Sequence, residues 1–346
     1  MITYIRIFII ALIIILGSLL LYRLNAIDPS LSLNEELKLS QTKNDWNRNW
    51  LKNSNQPIQL NSDITEYLYK PEMLDTFNDT LYITDYADMH IKRFTKDGKY
   101  IDTFGNGKGR GPGELSQILD VFISPKTLYA IDAGTFQVKR FERHTKTTLD
   151  PISYDNFELR VTVIDSSIVL MGLTQDLFRV INNNGKVEHA FGTLANDQFA
   201  NILSFDGLII PSNNKNEFIY LPFYASYMFF YDLQGRSTKT VQTLDRLKYP
   251  ESSQTSNGQK APSSPVGLEG VSYNDDFLFL QYVSAKNTII NRMHTYVDIY
   301  SRSGDKYFGS ILFETKVRGI AVIDQTIYTM NDSLRQIEAF VLPEIN

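Results

Sequence analysis

The chain has 346 residues and a net charge of -5, with 39 Asp and Glu against 34 Lys and Arg. That balance supplies no overall attraction for a phosphate backbone or an anionic surface, so nucleic acid is not an expected partner. Cysteine is absent, which excludes disulfide frameworks, Cys-ligated zinc, thiol nucleophiles and a lipid-bearing cysteine; 20 Tyr and 21 Phe favour pleated, half-buried strands.

At the N-terminus, Ile7 to Tyr22 form an uncharged apolar run between Arg6 and Arg23, and counting back to Ile2 gives about a bilayer's worth of helix. Leu24-Asn25-Ala26 is a poor cleavage site because Leu24 is large, so residues 1–26 are expected to be an uncleaved signal anchor, one transmembrane helix. Such a segment initiates export and places the rest in the periplasm or at the cell surface. Residues 27–56 are polar, with Trp46 and Trp50 four apart on a short amphipathic helix, and read as a linker whose tryptophans pack on the following domain.

From residue 57 the chain repeats. Leu81 to Phe94 matches Leu128 to Phe141 without a gap at an offset of 47, and an aromatic or Ile residue that closes an apolar run recurs at Phe94, Phe141, Ile181, Tyr231, Tyr300 and Phe340. Gly98, Gly185, Gly235 and Gly304 follow four of these and suit hairpins that need positive φ. The spacings of 47, 40, 50, 69 and 40 approximate a four-stranded propeller blade, and the long one holds the Pro/Ser/Asn/Gly stretch 249–266; a smaller insertion is expected near 285–291. The fold expected for residues 57–346 is therefore all-β, a six-bladed β-propeller. Its last blade lacks an outer strand, and Ile58-Gln59-Leu60-Asn61 is expected to supply it and close the ring.

The stretch Leu81 to Leu115, with Asp85, Ile91-Lys92-Arg93-Phe94, Asp97-Gly98-Lys99, Phe104-Gly105 and Gly109-Arg110-Gly111-Pro112-Gly113-Glu114-Leu115, resembles an NHL repeat, and more closely the NHL-like six-bladed propellers of Bacteroidetes envelope proteins. The resemblance is specific over two blades and implies a fold more firmly than a function. It implies surface or periplasmic lipoproteins, from which this chain departs by lacking the lipid-bearing cysteine.

Gly105, Gly107, Gly109, Gly111 and Gly113 invite a phosphate-loop interpretation, but no Gly-x-Gly-x-x-Gly fits and no Gly-Lys-Ser/Thr opens a helix, so an inter-blade connection is expected. His90, His144, His189 and His294 are too scattered for zinc, and strand alternation sends one member of Lys92-Arg93 and of Lys139-Arg140 outward.

The candidate site follows from topology. The first strand of each blade lines the central channel, and residues near its start ring one mouth. Counting eight back from the second strand gives Asp120, Arg160 and Glu269, with Glu72, Asp206 and Arg318 near the same place in the other blades. These six residues form a candidate ligand-binding mouth, or a salt-bridged, water-filled one. The expected function is a binding or scaffold module for a protein or glycan of the cell envelope, without cofactor. The alternative is a metal-dependent hydrolase or lyase, resembling propeller lactonases, in which Glu72, Asp120, Asp206 and Glu269 hold a divalent cation or act as acid and base.

Overall fold

The computed structural model describes residues 48–52, 56–173, 176–193, 205–245, 252–254, 260–262, 267–283, 294–313, 316–331 and 336–345. The expected transmembrane segment and the insertion near 285–291 lie outside them, and so does most of 249–266. Among the described residues, no helix is long and apolar enough to cross a membrane.

The strands form six blades, each an antiparallel meander counted outward from the axis. Blade 1 contains β1 (Pro71–Phe77), β2 (Thr80–Asp85), β3 (His90–Thr95) and β4 (Tyr100–Phe104); blade 2 contains β5 (Ile118–Ile123), β6 (Thr127–Asp132), β7 (Gln137–Glu142) and β8 (Thr148–Ser153). Blade 3 contains β9 (Glu158–Ile164), β10 (Ser167–Gly172), β11 (Asp176–Ile181) and β12 (Val187–Thr193); blade 4 contains β13 (Gly207–Pro211), β14 (Glu217–Pro222), β15 (Tyr227–Asp232) and β16 (Ser237–Gln242). A small hairpin of β17 (Ser252–Gln254) and β18 (Lys260–Pro262) precedes blade 5, which contains β19 (Leu268–Tyr273), β20 (Phe277–Val283), β21 (Thr295–Ser301) and β22 (Tyr307–Phe313). Blade 6 has three strands, β23 (Val317–Ile323), β24 (Thr326–Asn331) and β25 (Ile337–Val341).

All six positions that close the apolar runs, Phe94 to Phe340, fall in the third strand of their blades. Gly98, Gly185, Gly235 and Gly304 have φ of 87°, 78°, 80° and 76°, so each third-to-fourth strand hairpin turns through the left-handed region that glycine enters without steric cost.

The core is divided into wedges between adjacent blades, because each twisted sheet buries both faces against its neighbours. Leu81, Ile83 and Phe94 of blade 1 pack with Ala321, Tyr328 and Ala339 of blade 6 on one side, and Tyr82, Ile91 and Phe104 pack with Leu128, Ala130 and Phe141 of blade 2 on the other. Between blades 3 and 4 the wedge is aromatic: Phe178 meets Phe218 and Tyr220 edge to face, both with centroids 5.2 Å apart.

Buried carboxylates fix the hand-over between blades. Asp85 ends β2, is fully buried, and accepts the N–H groups of Tyr69, Lys70 and Ala87 together with Lys92 Nζ at 2.8 Å. Asp132 ends β6 and repeats the arrangement with the N–H groups of Ser116, Gln117 and Gly134 and with Ser116 Oγ. Each side chain satisfies backbone donors on the chain that enters its blade and so sets where the inner strand begins.

The ring is closed by the N-terminal part of the described chain. Ile58 bridges Ala339 antiparallel and donates its N–H to the Ala339 carbonyl at 2.7 Å, which places it on the open edge of β25; the contact is a single bridge rather than a strand over residues 58–61. Asn61 N–H then bonds the Asp97 carbonyl of blade 1, and Ile64 of the short helix α1 (Asp63–Glu66) is buried between blades 6 and 1. Residues 48–52, expected within the linker, lie on the outer edge of blade 5. Trp50 bridges Ser310 in parallel, and Leu51 N–H and the Asn49 carbonyl bond the two sides of Ser310 at 2.9 and 2.8 Å. Trp50 stands edge-on to Tyr296 and is half exposed, while Trp46 lies outside the described residues.

Arg48 pins this strap. Its Nε is 3.1 Å from Asp298 Oδ1, Nη2 meets Asp245, and the guanidinium lies 4.1 Å from the centroid of Tyr296. Burial pushes the Asp298 carboxyl up to about 6 against the opposing pull of Arg48.

Two losses of stability are expected. Asp132→Ala removes a charged acceptor from three backbone donors and should cost about 3 kcal/mol, measured by urea unfolding; a loss below about 1 kcal/mol would contradict the role assigned to Asp132. Arg48→Ala leaves Asp298 buried beside Asp245 without the guanidinium and should cost roughly 3 kcal/mol above pH 7, less at acid pH where the Asp298 carboxyl takes up a proton.

Candidate functional site at the channel mouth

The upper face is the one on which the inner strands begin. The inner strands β1, β5, β9, β19 and β23 each lose regular pairing at this face, with register shifts at Pro71/Met73, Ile118/Asp120, Met171/Gly172, Leu268/Gly270 and Val317/Ile320. A bulge inserts a residue, bends the strand and re-aims a side chain. Glu72, Glu269 and Arg318 occupy such bulges, and Asp120 and Arg160 follow directly on the bulged Leu119 and Leu159. The inner strand of blade 4 pairs with β14 without a register shift, and Asp206 is the residue just before β13.

The consequence is convergence. Glu72, Asp120, Arg160, Glu269 and Arg318 line one cavity of about 260 Å³ at the upper mouth, and Asp206 joins them through Arg160 Nη2 at 3.3 Å. All six residues singled out from the sequence are thus brought to one place. Arg318 Nη1 is 2.8 Å from Glu72 Oε2, across the junction between blades 6 and 1, and Lys70 reaches the same carboxylate from the rim at 3.9 Å. Asp120 Oδ2 accepts the Val161 N–H at 2.8 Å, a bond from blade 3 to blade 2. Tyr86 donates its hydroxyl to the Ile118 carbonyl, and Phe223 carries the Arg160 guanidinium over its ring at 5.5 Å.

Asp75 was not anticipated. It lines the upper cavity and also a second cavity of about 660 Å³ at the lower mouth; Phe122 and Tyr273 do the same, so these three residues stand between the two spaces. Burial, with the negative charge of Asp120 added, pushes the Asp75 carboxyl up to about 7, while the Thr76 N–H opposes the shift. Asp120 is pushed up to about 6 by burial against the pull of Arg160. Strand alternation from Glu72 does not point to Asp75, which lies three residues beyond it in the same inner strand; the bulge at Glu72 shifts the alternation by one and brings both to the channel. The lower cavity is lined by Asp79, Asp165, Asp275 and Asp324 from first-to-second strand turns.

Other sequence candidates resolve structurally. The Glu114 carboxylate accepts the Gly111 N–H at 2.7 Å, and a Cβ on Gly109 would lie 2.0 Å from Glu114 Oε2, so the glycine loop wraps the chain's own carboxylate in an inter-blade connection. His90 pairs with Asp88 at 3.2 Å, and His189 bonds the Gln234 carbonyl at 2.8 Å. Lys92 is buried against Asp85, and Arg93 is bound to Asp102.

Fold and site together define an all-β, six-bladed β-propeller with a charged upper mouth. A family model described as "6-bladed beta-propeller" matches residues 59–165, which span the first two blades and β9 of the third. No curated protein matches the chain. Among solved structures, the chain is similar to a protein of Bacteroides fragilis described as exported, with TM-score 0.55, 12% identity and coverage of 85% of this chain and 97% of that one. It is also similar to a member of the DUF4221 family from Bacteroides vulgatus (TM-score 0.54, 12% identity, 81% of this chain and 93% of that one). Hydrazine synthase of Kuenenia stuttgartiensis gives TM-score 0.51 at 12% identity, with 80% and 77% covered. At these identities the likeness is one of fold.

The raised carboxyl of Asp75 has a stability signature. Between its ordinary value of 3.8 and its folded value near 7, the native state keeps a proton that the unfolded chain has lost, so stability falls as pH rises through this window and the penalty is complete above it. Asp75→Asn removes the penalty and is expected to raise stability above pH 7 by roughly 1–3 kcal/mol, with channel water screening part of the effect, and to leave it unchanged below about pH 4. Melting temperatures of both proteins across that range check this; parallel curves would contradict it.

Proposed function

We propose that the chain is a membrane-tethered, extracytoplasmic binding or scaffold module with NHL-like blades, and that it holds a protein or glycan ligand at the upper mouth. The observation that carries this is the convergence of charged side chains from five blades on one cavity through repeated bulges, joined by Asp206 of the remaining blade through Arg160. The apolar run from Ile7 to Tyr22 supports the tether, the exported character given to the Bacteroides fragilis relative supports the compartment, and the Asp85 and Gly98 positions in their blade support the NHL-like subtype.

The arrangement fits recognition better than metal-assisted hydrolysis. Glu72 is engaged by Arg318 and Asp206 by Arg160, so two of the four carboxylates proposed as metal ligands already face guanidinium groups. Among the described residues, no three His, Asp or Glu side chains stand together with metal-ligand spacing. The mouth instead offers two acidic pairs, Glu72 with Asp120 and Asp206 with Glu269, separated in blade order by the donors Arg160 and Arg318 around a small cavity, which suits a polar group on a larger ligand.

A photo-crosslinking residue in place of Tyr224, beside Asp206 at the upper rim, should yield adducts in the cell envelope, and the same residue in place of Asn274, on the lower cavity, should not. Equal labelling from both faces, or from neither, would contradict the placement of the site.

A further inference from the structure

The charges lining the upper mouth do not cancel. Glu72, Asp120 and Glu269 line the cavity with Asp75, whose carboxyl is pushed up to about 7 and is half protonated there, and Asp206 abuts it, so that at least four carboxylates face the guanidinium groups of Arg160 and Arg318 and the rim ammonium of Lys70. Low-dielectric walls focus such a surplus along a cleft, and a cation that enters is attracted. The space is about 260 Å³, below the usual range for small-molecule pockets but sufficient for one long side chain.

The surface beside the mouth supplies a second feature. Tyr69, Phe136 and Phe157 are 67%, 50% and 48% exposed. All three belong to segments on the upper face of blades 1 to 3. Tyr69 lies in the chain entering blade 1 and donates its N–H to Asp85, Phe136 lies in the β6–β7 turn, and Phe157 immediately precedes β9. Exposed aromatic rings gathered on one sector are the composition of a protein-binding surface, in which amphipathic rings give contact area at low entropic cost.

We propose that the ligand is a protein that inserts one lysine or arginine side chain into the upper mouth while the surface around that side chain packs on the aromatic sector of blades 1 to 3. The proposal deepens the binding function above and rests on it. Charge complementarity decides for this occupant over a neutral glycan: the C–H faces of a sugar would stack on the rings equally well but would bring no positive charge to the acidic mouth. The elevated carboxyls of Asp75 and Asp120 agree, since a cation in the cavity would relieve the burial of their charge.

The test uses the wild-type protein and two fluorescein-labelled, end-capped pentapeptides, Gly-Phe-Arg-Phe-Gly and the same sequence with neutral citrulline for arginine, titrated by anisotropy. The arginine peptide is expected to bind about tenfold tighter, to weaken as salt is raised, and to lose about tenfold in affinity with Asp120→Asn while the citrulline peptide is unaffected. Phe157→Ala should weaken both peptides alike. Equal affinity for the two peptides, binding to neither at millimolar concentration, or displacement of the arginine peptide by a neutral tetrasaccharide would overturn the proposal. Because the peptide comparison is made on the unaltered protein, a variant that misfolds does not decide it. Adducts at Tyr224 with a saccharide or a non-basic protein, together with failure of the peptides, would leave the binding function standing and remove only the basic-side-chain claim; absence of both would remove the two together.

Discussion

Six sheets can surround an axis only if the last is joined to the first, and here the join is made by residues 56–64, preceded by the pairing of residues 48–52 on blade 5. One bridge, Ile58 to Ala339, occupies the open edge of β25; Asn61 then ties the strap to blade 1, and Ile64 is buried between blades 6 and 1. An unclosed array would expose that edge to pairing with other chains and would open the wedge formed by Tyr328, Ala339, Leu81 and Phe94. The further pairing along blade 5, pinned by Arg48 between Asp245 and Asp298, holds the strap in register before it reaches the junction. A buried ion cluster is a poor source of net stability, but it is selective about what it accepts, and this one accepts a guanidinium at one position of the strap.

Closure also fixes the channel. Once the ring is complete, the start of each inner strand has one place to go, and the carboxylates of Asp85 and Asp132 set that start by gathering the N–H groups of the incoming chain. The bulges then rotate charged residues towards the axis from five blades, and the residue before β13 completes the set from the sixth. Arg318 to Glu72 and Arg160 to Asp206 are contacts between neighbouring blades, as is the bond from Val161 to Asp120, so the polar mouth is itself part of what holds adjacent blades together. A ligand exchanging with these groups acts on the junctions as well as on the cavity.

The repeat was legible because each blade meets the same steric demand in its third strand. Phe94, Phe141, Ile181, Tyr231, Tyr300 and Phe340 close apolar runs there, and the four turn glycines adopt the positive φ their hairpins require. The six charged mouth residues were legible by counting, since inner strand and hairpin together have a nearly constant length; the bulges that aim them leave no mark in composition. The docking of residues 48–52 was not legible, because it depends on partners some 200 to 250 positions away in Asp245 and Asp298, and a polar stretch with one arginine has the composition of a linker. Asp75 lies outside the count that locates the rim residues, because its raised carboxyl comes from depth in the channel, which only the fold creates. The glycine loop was read correctly as a connection, but its anion turned out to be the chain's own Glu114.

The absence of native cysteine makes closure directly measurable, because a single engineered pair has no competing thiol. Ile58→Cys combined with Ala339→Cys places two thiols on directly opposed positions of an antiparallel bridge, within the Cα separation that a disulfide spans. Under mild oxidation without denaturant, the ring as described requires a rapid intramolecular disulfide in a monomer and a higher unfolding midpoint than in the reduced form. Thiols that stay free, or that pair only between molecules, would contradict closure by the N-terminal strap and with it the geometry of the mouth.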